Sequence, residues 1–229
     1  MRRSEINESI ERAIAFFSKM GFPLPPFAYW TPEEWQEKGP ECDEIRTVRL
    51  GWDVTDFALD DFPNWGRSIF TLRNGLAGHP AYTKSYAHKV MRLAEGQRSP
   101  VHYHRSKRED IINQGGGSII MDLWAAADDD QLSEEPFEVS VDGIVRRIAA
   151  GQRLRLAPGE SVCVTPRVYH QFCSEEGSGL TLAVEVSSVC DDLTDNFFLG
   201  PTERFPRIEE DEPRRYYLCS EYPPPVGGA

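Results

Sequence analysis

The sequence predicts an all-β protein, a sandwich or barrel of many short strands carrying α-helices at its N-terminal end. Three observations carry this reading. From residue 85 onward, short runs rich in β-branched residues recur at close spacing: Val90-Met-Arg-Leu, Ile111-Ile, Ser118-Ile-Ile-Met-Asp-Leu, Phe137-Glu-Val-Ser-Val, Ile144-Val-Arg-Arg-Ile, Ser161-Val-Cys-Val and Leu180-Thr-Leu-Ala-Val-Glu-Val. Asp142-Gly143 joins two of them as a two-residue hairpin turn. Only the first 40 residues carry a helical period.

Taken in order, Ser4 is a candidate N-cap, after which Ile6, Ile10, Ile14, Phe17 and Met20 recur at helical spacing until Gly21 supplies a stop. Pro23, Pro25 and Pro26 fix φ and remove donors, so a stiff connector follows. Thr31-Pro32-Glu33-Glu34 starts a second helix, with Pro at its first position and a capping-box Glu, and Gly39 is its expected end. In residues 40–85, Trp52, Phe57, Phe62, Trp65 and Phe70 are scattered among Asp and Gly, which reads as short strands and loops. The small, acidic segment 125–135 reads as an exposed loop, and the tail from Tyr222 as loose at its very end.

A chain of 229 residues fits one substantial domain, expected here over 1–229, with a helical extension over 1–40 and a β core over roughly 85–190. The net charge of −12 repels phosphate backbones and anionic membrane surfaces, which argues against nucleic acid and lipid as partners and is compatible with a neutral substrate. Five cysteines without a CxxC pair read as reduced thiols of a cytoplasmic protein. The N-terminus lacks an apolar core of signal-peptide type, and no uncharged apolar run is long enough to span a bilayer.

The most informative residues are His102-Tyr103-His104, Glu109 and His170. Residues two apart on a strand face the same way, so His102 and His104 aim into one pocket. A turn through residues 105–108 returns Glu109 on a neighbouring strand. Three imidazoles and one carboxylate form a candidate site for a divalent transition metal. Three of the chain's five histidines belong to it. The other two, His79 and His88, read as a loop residue and a structural residue.

Gly96, His102, His104, Glu109 and Gly116, separated by five, one, four and six residues, resemble the first cupin motif. Pro166 and His170 resemble the second, with a spacing one residue shorter, no Gly between them, and Ser174 where Asn is common. The helical N-terminus, the His-Tyr-His-Arg-Ser-Lys run, Asp195-Asn-Phe-Phe, and the segment from Arg204 to Glu212 further resemble the D-lyxose isomerase family over nearly the whole chain.

That resemblance implies a cupin jelly-roll β-barrel with N-terminal α-helices, and a cytoplasmic homodimer. It implies Mn²⁺ as the ion, with Co²⁺, Fe²⁺, Ni²⁺ and Zn²⁺ as alternatives. The implied reactions are D-lyxose to D-xylulose and D-mannose to D-fructose. On that expectation the ion polarises the carbonyl and stabilises an enediolate while a base moves a proton between C1 and C2. By resemblance Glu203 is the leading base candidate, Lys89 and Lys107 bind sugar oxygens or relay protons, and Arg204 and Asp211 contact hydroxyls. Each has a plainer reading: Glu203 as a solvated loop charge, Arg204 and Asp211 as surface ion pairs, Lys107 as part of an exposed basic turn. Two rival classes are a metal-dependent cupin oxygenase and a non-catalytic sugar-binding cupin.

Overall fold

A computed structural model describes residues 1–227. The expected looseness at residues 228 and 229 lies outside the described residues. The N-terminal part holds three helices, α1 (Arg3–Lys19), α2 (Pro32–Gln36) and α3 (Asp43–Thr47). Helix α1 begins before Ser4: the Arg2 N–H donates to Glu5 Oε2 at 2.8 Å, and Ser4 instead donates to Asp211 from its backbone and hydroxyl. Thr31 and Glu34 form the expected reciprocal cap of α2. That helix stops at Gln36, three residues before Gly39.

Thirteen strands follow: β1 (Gly51–Thr55), β2 (Arg67–Arg73), β3 (Tyr86–Leu93), β4 (His102–His104), β5 (Glu109–Gly116), β6 (Ile119–Ala125), β7 (Phe137–Val141), β8 (Ile144–Ile148), β9 (Gln152–Leu156), β10 (Ser161–Val164), β11 (Val168–Ser174), β12 (Thr181–Ser188) and β13 (Asn196–Phe198). They build two antiparallel sheets, ordered β1-β2-β3-β12-β5-β10-β7-β8 and β13-β4-β11-β6-β9. The sheets face one another in the cupin manner without closing into a continuous barrel. The strands reach beyond the expected core at both ends, since β1, β2 and β13 lie outside residues 85–190. Among the described residues no helix is long and apolar enough to cross a membrane, and all five cysteines are free thiols.

Alternation along the strands separates two apolar layers. Ile69, Met91, Ile111, Met121, Leu123 and Phe172 pack between the sheets. The opposite face of the larger sheet presents Trp52, Phe70, Val90 and Val184 to Ile6, Ile10 and Phe17 of α1. Strands β1 and β2 are buried on both faces yet carry Asp53, Thr55, Arg67, Ser68 and Thr71, so neither alternation nor a continuous apolar run marks them in the sequence. Trp52 belongs to this helix-facing core, and its indole donates to the Ala28 carbonyl at 2.8 Å. His88 sits on the same outer face, edge-on to Phe22.

Two turns show local chemistry setting the fold. Asp142 and Gly143 both take positive φ (53° and 79°), the hairpin geometry their pairing predicts. Gly116 lies at φ 91°, where a Cβ would sit 2.3 Å from the Leu180 carbonyl oxygen. Only glycine lets β5 cross β12 this closely.

Candidate active site

Strand β4 presents His102 and His104 to the space between the sheets, while Tyr103 between them faces away. Tyr103 is buried against Phe197, with ring centroids 4.9 Å apart, and donates to Asp130 at 2.6 Å. The expected loop around Asp130 is therefore pinned behind the histidine strand. Strand β11 places His170 directly opposite His102. Ligand nitrogens of the three imidazoles lie within 4.8 Å of one another. Nδ1 of His102 faces the Pro100 carbonyl at 2.8 Å, and Nδ1 of His170 faces the Val168 carbonyl at 3.1 Å. A carbonyl only accepts, so each Nδ1 carries a hydrogen, which leaves Nε2 as the nitrogen directed at the centre.

Glu109 completes the cluster. Its carboxylate stands 3.0 Å from His170 Nε2 and 3.5 Å from His104 Nε2. Burial raises the Glu109 carboxyl, but Lys107 and the two imidazoles outweigh it and hold the group well below the ordinary carboxylate range. Burial and the neighbouring imidazoles push His102 well down, favouring the neutral ring. Three imidazoles and one ionised carboxylate are a donor set of the kind that holds a divalent transition ion, so the residues present fit such an ion. Asp195 supports the cluster from behind. Its carboxylate lies 3.5 Å from His104 Nδ1 and accepts from Ser106.

A buried chain of alternating charges starts at Glu109. Lys107 Nζ bridges Glu109 at 2.7 Å and Glu185 at 2.9 Å. Lys89 Nζ lies 3.6 Å from Glu185, 4.0 Å from Asp192 and 2.8 Å from Cys190 Sγ. Arg204 Nε donates to Asp192 at 3.0 Å, and the same guanidinium pairs with Asp53. Register explains the arrangement: Lys89 on β3 is the cross-strand partner of Glu185 on β12. Burial raises the Glu185 carboxyl, yet Lys107 and Lys89 overcome that and lower it overall. Burial would also neutralise Lys107, but Glu109 and Glu185 hold it charged.

Lys89, Lys107, Glu185, Asp192 and Arg204 line one cavity together with the three histidines and Glu109. Phe57, Ile69, Met91, Phe172 and Phe198 supply its apolar wall.

Of the residues read from sequence, His102, His104, Glu109, His170, Lys89, Lys107 and Arg204 come together here. Glu203 and Asp211 do not. Glu203 is 55% exposed and pairs with Arg207 on the surface, because its neighbour Arg204 takes the inward direction. Asp211 is tied to Ser4 at the start of α1. Sequence reasoning passed over Glu185, Asp192, Asp53 and Arg67. Glu185 carried the clearest signal, as the one charged residue in the run Leu180–Val186.

With this geometry in hand, comparison with known proteins is informative. The D-lyxose isomerase family model matches residues 1–222. A D-lyxose/D-mannose isomerase of Serratia proteamaculans is 48% identical over 223 residues, covering 97% of this chain and 98% of the relative. One from Escherichia coli O157:H7 is 45% identical over the same span. In fold, the chain is similar to the L-ribose isomerase of Cellulomonas parahominis solved with L-psicose. There the TM-score is 0.60 at 18% identity, over 91% of this chain and 98% of that one. The L-ribose isomerase of Acinetobacter sp. DL28 in complex with L-ribose gives 0.60 at 16% identity, over the same shares. Extending over almost the full length, these matches establish that the chain belongs to the D-lyxose isomerase family.

Proposed function

We propose that this chain, folded as one cupin domain, is a metal-dependent aldose–ketose isomerase. It converts D-lyxose to D-xylulose and D-mannose to D-fructose through a cis-enediol. One observation carries the reading: a single cavity holds a three-histidine, one-carboxylate donor set beside a buried, ionised carboxylate, Glu185, that shares Lys107 with it. The names of the two relatives support the choice of sugars.

His102, His104, His170 and Glu109 would hold the ion, which supplies a Lewis acid for the sugar's carbonyl. Glu185 is the base. It takes the C2 proton of the open-chain aldose and returns it to C1. Lys107 donates to the sugar oxygens and carries the hydroxyl proton from O2 to O1, its charge kept by Glu109 and Glu185. Lys89 and Arg204 hold the carboxylates around it and offer donors to hydroxyls. The apolar wall limits water around the reacting carbons. General-base assistance of this kind is worth about 10²–10⁴ in rate. Family likeness supports Mn²⁺ as the ion, a homodimer and a cytoplasmic location.

Isomerisation of D-lyxose in D₂O, followed by NMR, tests the chemistry. Deuterium at C1 of the ketose is the expected result. Ketose free of deuterium after many forward and reverse turnovers would contradict transfer through an exchangeable enediol.

A further inference from the structure

The cavity has a second polar end that the reaction does not use. Arg67 opens β2 and lines the cavity with Ser99 and Phe172. Lys89 is the register partner of Thr71, four residues along β2 from Arg67. At the rise of a strand that separates the two rungs by about 13 Å. Phe172 lies two residues beyond His170 on the same face of β11, and the Arg67 guanidinium sits over its ring at 4.5 Å. Arg67 therefore stands one rung past the imidazoles, with Ile69 and Met91 between it and the charged chain.

No carboxylate pairs with Arg67 among the described residues, although only 3% of the residue is exposed. Its partners are neutral oxygens. Nη1 donates to the Gly66 and Gln97 carbonyls at 3.0 and 2.9 Å. Nη2 donates to Ser99 Oγ at 3.3 Å and to the Phe172 carbonyl. All four Nη hydrogens are thus taken, and Nε–H has no acceptor among the described residues. Burial without a compensating charge pulls this guanidinium down to about 9. Holding a cation there has a stability cost that packing alone does not explain.

The number of free donors limits the ligand. A phosphate or carboxylate calls for the two-pronged fork of a guanidinium, and here the fork is spent on the protein. A single N–H suits a single hydroxyl. We propose that Arg67, braced by Ser99 and Phe172, is a specificity residue that donates from Nε–H to the terminal hydroxyl of the open-chain sugar. This rests on the isomerase reading, which places C1 and C2 at Glu185 and Lys107 and leaves the sugar's tail to run along Ile69 and Met91.

The test compares kcat/KM for D-lyxose and 5-deoxy-D-lyxose in the wild-type holoenzyme, Arg67→Met and Arg67→Lys. The second variant keeps a buried cation for folding while removing Nε–H. In either variant the ratio of D-lyxose to 5-deoxy-D-lyxose should fall about 10–100-fold relative to the wild type, mainly through KM on D-lyxose. Comparing ratios between enzymes cancels the different open-chain fractions of the two sugars. A ratio unchanged from the wild type in a folded variant would overturn the proposal. Turnover of D-lyxose itself reports separately on the isomerase reading, and its absence in the wild type would remove both.

Discussion

Lys107 and Glu185 meet at 2.9 Å between the sheets, while the same ammonium lies 2.7 Å from Glu109. One ammonium is thereby shared by two buried carboxylates. On the proposed mechanism these acids take separate roles, Glu109 as ligand and Glu185 as base.

Glu185→Gln should lower kcat by at least about 100-fold with little change in KM. Glu203→Ala should leave kcat/KM within about 2-fold, since its exposed carboxylate pairs with Arg207 on the surface. Steady-state kinetics on D-lyxose check both. The opposite ranking would return the base to Glu203.

Removing the ion should be visible without any assay of turnover. At a ligand concentration about 1,000 times Kd, binding stabilises by about 4 kcal/mol. For a chain of this size that corresponds to about 8–16 °C in Tm. Chelation should lower Tm by that order, and His170→Ala should reduce bound metal from about one ion per chain to near zero by elemental analysis. A Tm and metal content that both ignore His170 would argue against the four-residue site.

Arg204 serves two buried acids, Asp53 and Asp192. Arg204→Met should cost about 3–5 kcal/mol in denaturant unfolding, because both carboxylates lose their partner. Adding Asp53→Asn to that variant should recover part of the loss. No recovery would mean that Arg204 stabilises through packing and not charge.

Acid stability should report on the tie between α1 and the C-terminal segment. Hydrogen bonds from buried Arg3 hold the Glu210 carboxyl down to about 2. A depressed folded-state pKa contributes stability above the unfolded value, about 4.3, and loses it as pH falls toward 2. The Tm of the wild type should therefore drop more steeply between pH 5 and 3 than that of Glu210→Gln. Parallel curves would show that the pair contributes nothing to stability.

The candidate metal ligands were legible because a strand converts an i, i+2 spacing into a shared face, so His102 and His104 could be paired without knowing the topology. His170 needed the second motif, because its approach depends on β11 lying beside β4. Glu185 was hidden for a related reason. Alternation puts Ala183, Glu185 and Ser187 on one face of β12, but which face meets Lys107 and Lys89 follows only from register with β3 and β5. Around Glu203 and Arg204 no regular element exists to say which side chain turns inward, and family resemblance pointed to Glu203 as the base. Arg67 was invisible because its partners are backbone carbonyls, which have no sequence signature. The strands β1 and β2 were obscured by burial on both faces, which removes the alternation that marks a half-exposed strand.

The central claim is isomerisation of a free sugar at a metal held by His102, His104, His170 and Glu109. Its most direct test is an assay of metal-stripped protein on D-lyxose and D-mannose, before and after adding Mn²⁺. The account predicts negligible ketose formation before addition and recovery of turnover on both sugars after it. Full activity in protein shown to be metal-free would contradict the claim, as would persistent inactivity of folded protein carrying one ion per chain.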